Sequence, residues 1–400
     1  MRNEDDTTPQ EPRDDAAVSG PVTEADAPEP GPTETGADTP HSAATTAGLS
    51  IPDPDGDRAD QSADQSEEPT GDPTAEHVED PTGGPGSESA VPPAATKAET
   101  AEGIGAHDAA AAIAPAPRED AGAPTLGDVL VAIEELWPAS LAEDWDAVGL
   151  VAGRLEQVIR RVVFAVDPTR EVVRDAIERG ADLLITHHPL LLRGVKSVAA
   201  DQFKGAAIHD LIENHCALVT VHTNGDSAVG GVSDVLADIL GLQNLSPLVP
   251  APEGLPEEGI GRVGTLPDAL ALGDFASRVF GALPAVAGGV RVAGDRDGIV
   301  RTVAVCGGAG DSLFDAVREA RADVFVTADL RHHPASEARE AAVEDRPYLV
   351  DISHFAGEWL WLPVAAEGLY NVLVDQGFAV EIGVSSINSD PWDFILTPGH

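Results

Sequence analysis

Aromatic residues are absent from the first 123 positions of this 400-residue chain, and all 16 of its Phe, Trp and Tyr residues come later. The same stretch holds 28 Asp or Glu residues against 5 Lys or Arg residues. Such a segment buries too little apolar surface to offset the entropy lost when its backbone becomes ordered. We therefore predict a long disordered acidic tail, rich in Pro, Gly and Ala, over residues 1–123, and a folded part after it.

Cysteine is scarce, since the chain has only Cys216 and Cys306. Two cysteines are too few for a disulfide framework or a thiolate metal site, which fits a reducing compartment. No stretch has the pattern of a signal peptide or the roughly 18 to 20 apolar residues that cross a bilayer. Residues 124–400 carry 41 acidic against 19 basic residues, which disfavours a nucleic-acid partner. We expect a soluble, cytoplasmic protein without a membrane partner.

Short apolar runs alternate with amphipathic segments from residue 124 onward, and this alternation indicates an α/β fold. Thr125 and Asp128 have the spacing of a capping box, which predicts a first helix that ends at about Leu136.

The chain also contains an internal duplication. Residues 160–188 and 300–329 each read as a strand, a helix, the dipeptide Ala-Asp, an apolar strand and a Thr. We therefore predict two similar α/β halves, residues 124–245 and 260–400. The Pro-rich and Gly-rich residues 246–259 are expected to be the linker between them.

Histidines follow several of the predicted strands. His187 and His188 follow LLIT, His222 ends ALVTVH, and His354 closely follows YLVDI. The carboxyl ends of strands in open α/β sheets are where ligand sites form, so these imidazoles are expected at one edge.

Two carboxylates accompany these histidines. In HTNGD, a tight turn at Asn224-Gly225 would bring His222 and Asp226 inward together. The offset of four between His354 and Glu358 places both on one face of a helix. Imidazoles and carboxylates without thiolates suit zinc, iron, manganese, cobalt or nickel.

Each of these patterns also has an ordinary structural explanation. A histidine pair after a strand is often a surface or capping feature, and polar pairs at offset four are common on exposed helices. HTNGD could be a turn whose Asp caps a neighbouring backbone, and GGAG at 307–310 could be either a phosphate-binding loop or a tight turn. The metal hypothesis gains weight because the clusters follow strands expected to share an edge.

Six segments, in order along the chain, resemble the Nif-three-like family: LAEDWDAVGLVAG, ADLLITHHPLL, HTNGDSAVGGVSDVLA, VCGGAGDSLFDAV, VDISHFAGEWLWLP and SDPWDF. Members of this family are often labelled GTP cyclohydrolase I type 2 homologs. The resemblance covers nearly all of residues 124–397. It implies a duplicated two-half fold with mixed sheets flanked by helices, a toroidal homohexamer, and a dinuclear metal site in each subunit.

The resemblance also implies a ligand set. His188 and Asp226 would bind one divalent ion, His187 and His354 the other, and Glu358 would bridge the two. The identity of the ions stays open between zinc, iron, manganese and nickel.

Other polar residues near these motifs have no settled role. His222 is expected to be an additional metal ligand or a residue that contacts a ligand. Gly225 stands where the family usually has an apolar residue. Asp329, His332 and His333 follow a strand, and they either line the pocket or belong to an ordinary loop.

A water between two ions loses its proton more readily and becomes a nucleophile near neutral pH. The resemblance thus implies a metal-dependent hydrolase with a small-molecule, nucleotide-like substrate, and the family label suggests ring opening of GTP. The sequence assigns no catalytic residue and has no G-x-x-x-x-G-K-S/T phosphate loop. The alternative is a metal-binding adaptor or metallochaperone without turnover.

Overall fold

The computed structural model describes residues 122–252 and 254–397. These residues form two mixed β-sheets with helices on their faces, which confirms the predicted fold class. The predicted acidic tail, residues 1–123, lies outside the described residues except for its last two. Within the described ranges, no helix has both the length and the apolar character that a membrane span requires.

The helices and strands follow one another along most of the described chain. The helices are α1 (Leu126–Leu136), α2 (Arg170–Glu178), α3 (Phe203–Glu213), α4 (Thr223–Ser227), α5 (Val232–Ile239), α6 (Leu272–Ala282), α7 (Phe314–Glu319), α8 (His332–Glu340), α9 (His354–Trp359) and α10 (Trp361–Asp375). The strands are β1 (Gly149–Ala152), β2 (Arg161–Ala165), β3 (Leu183–Thr186), β4 (Ala217–Thr220), β5 (Gln243–Pro250), β6 (Gly259–Ala271), β7 (Arg291–Ala293), β8 (Ile299–Ala309), β9 (Val324–Ala328), β10 (Tyr348–Ile352) and β11 (Glu381–Val384).

The two sheets have related strand orders. The first sheet runs β1-β4-β3-β2-β11, with parallel pairing throughout except between β1 and β4. The second sheet runs β5-β6-β8-β9-β10-β7, and its central strands β8, β9 and β10 are parallel. Parallel neighbours bring their carboxyl ends to one edge, so each sheet has an edge where loop residues gather.

The first helix begins where the capping box predicts. The Thr125 hydroxyl accepts a hydrogen bond from the Asp128 backbone N–H, and the Asp128 carboxylate accepts one from the Thr125 N–H at 2.8 Å. The helix ends at Leu136, as expected. Its buried residues, which include Leu126 and Val129, pack against the first sheet.

The internal duplication appears as two strand-helix-strand units, β2-α2-β3 and β8-α7-β9. The Ala-Asp dipeptide has the same role in both. The Asp182 carboxylate accepts the backbone N–H groups of residues 160 and 161 at 2.7 and 2.9 Å. The Asp323 carboxylate accepts those of residues 301 and 302, both at 2.8 Å. Each Asp thus ties the start of one strand to the start of the next.

Residues 246–259, expected to be a linker, include the second part of β5 and the connection to β6. Val249 pairs with Ile260 and Pro250 with Gly259, so these residues form an antiparallel hairpin of the second sheet. The last strand, β11, returns to the first sheet and pairs with β2. The chain therefore enters the first sheet again after completing the second.

The sheets are covered on both faces by helices. Along β2, Phe164 packs into the core beneath α1 and α10, and its neighbour Val163 packs on the opposite face beneath α2 and α3. In the second sheet, Val305 faces α5 and α6, and Ala304 faces α7. Neighbouring residues face opposite ways because successive side chains of a strand point to opposite faces of the sheet. Burial of a Val or Phe side chain contributes about 1.5–3 kcal/mol to the stability of the fold.

Candidate metal centre

His187 and His188 follow β3 directly, and both rings face the same cluster. His187 is 1% exposed, and its Nδ1 lies 2.9 Å from the carbonyl oxygen of Val221. The Nδ1 of His188 lies 2.7 Å from Asp167 Oδ1, at the end of β2. The two ring centroids are 5.2 Å apart. The neighbouring parallel strands β2, β3 and β4 therefore fix both imidazoles at their shared edge.

His222 and Asp226 lie on either end of the short helix α4. The tight turn expected at Asn224-Gly225 is instead a turn of helix, in which the Asp226 N–H donates to the His222 carbonyl at 3.0 Å. Asn224 favours this form because its side chain accepts from the His222 N–H and donates to the buried carbonyl of Trp137. The helical turn places Asp226 beside His187.

His354 and Glu358 occupy one face of α9, as their spacing predicts. Ser353 caps this helix, because its hydroxyl accepts a hydrogen bond from the Ala356 N–H at 3.2 Å. His354 Nε2 lies 2.8 Å from Glu358 Oε1. Glu358 is only 2% exposed, so its carboxylate is directed into the protein among the histidines.

The Glu358 carboxylate is the centre of the cluster. It lies 3.5 Å from His187 Nε2, 3.1 Å from His188 Nε2 and 2.8 Å from His354 Nε2. His187 Nε2 also lies 3.7 Å from Asp226 Oδ1, and His188 Nε2 lies 3.2 Å from His354 Nε2. These contacts group His187 with Asp226 and His188 with His354. The resemblance instead implies that His188 shares an ion with Asp226, and His187 with His354.

Every histidine of the cluster has its Nδ1 held by an acceptor outside it. The acceptors are Val221 O for His187, Asp167 for His188, Asp146 for His222 and Asp329 for His354, all within 2.9 Å. Carbonyl and ionised carboxylate oxygens can only accept, so Nδ1 carries a proton and Nε2 is the ring atom that can bind a metal. This is the usual arrangement around metal-ligating histidines.

The roles of Asp146 and Asp167 are absent from the sequence-based expectations. The sequence does predict the position of Asp167 at this edge, because it follows the apolar run VVFAV, but it does not predict the contact with His188. Asp146 gives no such signal, since it approaches His222 from a segment 76 residues away. It also accepts the backbone N–H of Thr223 at 3.0 Å, which fixes the start of α4.

The cluster contains buried polar atoms that make no hydrogen bond with the described residues. His187 Nε2 and Glu358 Oε2 are buried without a hydrogen bond, although buried polar atoms are nearly always paired. The Nε2 atoms of His188 and His354 lie 3.2 Å apart, close enough for one cation to contact both.

The donor set therefore fits metal ions. Two groups of side chains each bring their ligand atoms within 4.8 Å of one another. They are His187, His188 and His222, and His188, His354 and Glu358. These buried histidine and glutamate groups could hold metal ions.

The electrostatics of the cluster also favour cations. Burial opposes a charge on His188 and His354, but Glu358 and the outer aspartates outweigh burial and raise their pKa values to about 10 and about 11. Burial also opposes the charged form of Glu358, yet the three neighbouring histidines hold its pKa well below the usual range. Burial raises the pKa of Asp226.

Metal-free protein should lose stability as the pH rises. A histidine whose pKa is raised by folding stabilises the fold fully below its ordinary value of 6.5, and this stabilisation is lost as the pH passes the folded values of about 10 and 11. We expect the melting temperature of chelator-treated protein to fall between about pH 7 and pH 10 in scanning calorimetry. Metal-loaded protein should change less, because bound ions replace the protons. A constant melting temperature after chelation would contradict this interpretation.

Asp329, His332 and His333, whose roles were left open, separate into two groups. Asp329 follows β9 and orients His354 from a left-handed backbone conformation with a φ of 55°. His332 and His333 begin α8, are exposed, and contact each other with ring centroids 5.2 Å apart. Neither belongs to a ligand group found in the described ranges.

The glycines of GGAG allow α5 and β9 to approach the end of β8 closely. A Cβ on Gly307 would lie 2.3 Å from Val232 Cγ1, and one on Gly310 would lie 2.3 Å from Thr327 Oγ1. Gly308 faces Glu358 itself. These close approaches explain why the segment is rich in glycine.

Replacing Gly308 by alanine is expected to displace the Glu358 carboxylate, because the new Cβ would lie 2.7 Å from Oε1. We expect metal affinity to fall by roughly 10- to 100-fold, as for other disturbed ligands, when measured by competition with a chromophoric chelator. Gly281→Ala is the control, because nothing lies within 4 Å of its added Cβ. Equal affinities in the two variants would refute the role given to Gly308.

The fold and the site together define an α/β protein with two mixed sheets and a buried histidine-carboxylate cluster that could bind metal. Residues 124–391 match the family model Duf34/NIF3 (NGG1p interacting factor 3). The chain belongs to this Duf34/NIF3 family, which confirms the resemblance seen in the sequence.

Named relatives and a solved structure agree with this membership. The chain is 51% identical over 271 residues to the "GTP cyclohydrolase 1 type 2 homolog" of Streptomyces coelicolor, covering 67% of this chain and 94% of the relative. It is 34% identical to the protein of the same name in Clostridium perfringens, covering 68% and 99%. A crystal structure of a hypothetical protein from Staphylococcus aureus, 29% identical, superposes with a TM-score of 0.62 over 68% of this chain and all of that one.

Proposed function

We propose that this protein binds two divalent metal ions and is a metal-dependent hydrolase for a nucleotide-like substrate. The proposal rests on one observation: the possible ligand atoms lie close together, and residues outside the cluster hold the histidine rings in place. Four imidazoles have their Nδ1 atoms occupied, and the Glu358 carboxylate lies among three of their Nε2 atoms. Outer contacts of this kind fix the orientation of ligands and make them more basic.

Five side chains would hold the ions. His187 and Asp226 would bind one ion, His188 and His354 the other, and Glu358 would be shared. Glu358 suits the shared position because its two oxygens lie within 3.5 Å of three histidines. His222 lies against both His187 and His188, with ring centroids 5.2 and 5.5 Å away, and is available to the first ion.

The chemistry of such a site is hydrolytic. Bound divalent ions supply Lewis acidity, which makes a nearby water a better nucleophile and stabilises developing negative charge. The contribution of this chain is orientation: Asp167 and Asp329 hold the Nδ1 protons of His188 and His354, so both rings stay in one tautomer. All four of these residues line a cleft of about 620 Å³, which has room for a small molecule.

GTP is the first substrate to test, because the curated relatives are named GTP cyclohydrolase 1 type 2 homologs. Protein reconstituted with zinc, iron, manganese or nickel would be incubated with GTP and other nucleotides. Ring-opened and hydrolysed products would be separated by mass. We expect metal-dependent product with wild-type protein and a loss of at least about 100-fold in His354→Ala, comparable to other losses at metal sites. His332→Ala is the matched control.

The same experiment separates the enzyme from the adaptor. An adaptor or metallochaperone would bind ions through the same five residues but would form no product with any nucleotide and any metal. Product that forms equally in the His354→Ala variant would contradict a role of this cluster in turnover. The homohexamer implied by the resemblance remains a prediction, which sedimentation analysis would test.

A further inference from the structure

The C-terminal arm, which we define as residues 385–397, is attached to the candidate metal centre. It follows β11 without regular structure. The Ser389 hydroxyl donates to Asp167 Oδ2 at 2.5 Å, and the Ser353 hydroxyl donates to the Asp390 carboxylate. Asp390 Oδ1 also accepts the Trp392 N–H at 3.0 Å. These contacts hold the arm in one conformation up to Trp392.

Both attachment points also position candidate metal ligands. Asp167 holds the Nδ1 of His188, and Ser353 caps the helix that begins with His354. Asp167 therefore connects the arm to His188, and Ser353 connects it to the helix of His354. The location of the arm beside the site follows from the same contacts that orient the ligands.

Beyond these attachments, the arm exposes large apolar side chains. Trp392 is 71% exposed, Phe394 is 76% exposed and Ile395 is 56% exposed. All three line the cleft that also contains His188 and His354. Exposed apolar surface beside a polar site is typical of a ligand-binding surface, because it remains costly to hydrate until a ligand covers it.

The charges of the cleft restrict what that ligand can be. Among the residues that line the cleft, Arg291 is the one Lys or Arg residue, and its Nε lies 2.7 Å from Asp351 Oδ2. The cleft also contains four carboxylates. They are Asp167, Asp329, Asp351 and Asp390. On the side of the cleft formed by the arm, a phosphate chain would lie near the Asp390 carboxylate, whereas a flat uncharged ring would contact Trp392 and Phe394.

We propose that Trp392 and Phe394 form a stacking wall for the planar heterocyclic base of the substrate. This inference rests on the proposed function in one respect, that the ions at His188 and His354 lie at the floor of the same cleft. The base enters the cleft and lies against the aromatic rings, and any phosphates extend toward solvent. Aromatic side chains bind bases in this way through their π-faces and apolar area.

Binding tests the wall without requiring turnover. Isothermal titration calorimetry would compare guanosine, GTP and inorganic triphosphate as probes on metal-reconstituted full-length protein. The variants are Trp392→Ala, Trp392→Phe and the control Phe280→Ala, which removes an aromatic ring that is 62% exposed on α6 and outside the cleft. Metal content and sedimentation coefficient would be measured for each protein.

We expect guanosine and GTP to bind with similar affinity and triphosphate to bind much more weakly. Trp392→Ala should raise the Kd of guanosine by at least about 5-fold, the lower end of stacking effects. Trp392→Phe should restore most of this loss, and Phe280→Ala should have no effect. Metal content should be the same in all of these proteins, because no candidate ligand is changed.

Several outcomes would overturn the inference. They are no binding of guanosine to wild-type protein, an equal Kd in Trp392→Ala, or triphosphate that binds as tightly as GTP. A change in sedimentation coefficient without a change in Kd would assign the wall to contact with a second copy of the chain. If the protein binds no metal but guanosine binding still depends on Trp392, the proposed function fails and the base site stands.

Discussion

Glu358→Gln is expected to abolish metal binding at the proposed two-ion site. The substitution keeps the size of the side chain but cancels the one negative charge that lies within 3.5 Å of three histidines. It also replaces one ligand oxygen by an amide nitrogen that cannot bind a cation. We expect metal affinity to fall by more than about 100-fold, which is more than the loss expected for a residue that only hydrogen-bonds to a ligand.

Elemental analysis of protein purified without added metal would measure this effect. Glu367→Gln is the matched control, because Glu367 is exposed on α10, the next helix along the chain. The control should keep the wild-type metal content. If Glu358→Gln also keeps it, the central position given to Glu358 is wrong.

Asp234→Ala should have the largest effect on stability. Arg262 is 1% exposed, and its Nε and Nη2 lie 2.6 and 2.8 Å from the two oxygens of Asp234. Its remaining hydrogen bonds go to backbone carbonyls, including that of Ala228, which follows the helix that carries Asp226. Removing the carboxylate leaves a buried guanidinium without a counter-ion, which costs about 3–5 kcal/mol.

Urea unfolding would measure this loss as a lower midpoint at an unchanged slope. Arg174→Ala is the control. It breaks the exposed Arg174–Glu178 pair, whose closest atoms are 4.0 Å apart, and should change the free energy of unfolding by less than about 1 kcal/mol. The double variant Asp234→Ala with Arg262→Met should recover much of the loss, because it removes the buried charge as well. Equal stability of Asp234→Ala and wild type would contradict the account.

Local sequence patterns predict the parts of the site that depend on neighbouring residues. The spacing of His354 and Glu358 fixes their shared helix face, and the strand before His187 and His188 fixes their place at the sheet edge. The capping box at Thr125 fixes the start of α1. In each case the interacting groups are within a few residues of one another, so the local conformation is enough.

Contacts between distant segments could not be predicted in this way. Asp167 reaches His188 across 21 residues and Asp146 reaches His222 across 76, and both contacts depend on how the strands pack. Ser389 reaches Asp167 across 222 residues. The position of the arm beside the cleft therefore depends on packing between residues that are far apart in the sequence.

The hairpin at residues 246–259 was expected to be a linker for a different reason. Its prolines and glycines are typical of loops, but an edge strand tolerates proline because one side of its backbone has no partner strand. Pro247 and Pro250 both lie in β5, at the edge of the second sheet. Composition alone does not distinguish the two cases.

Anomalous scattering from crystals of the metal-loaded protein, recorded at the absorption edge of the bound metal, tests the central claim most directly. The account predicts two peaks about 3.5 to 4 Å apart, on either side of the Glu358 carboxylate and within bonding distance of His187, His188, Asp226 and His354. A map without peaks at this cluster, or with its only strong peak at His332 and His333, would contradict it.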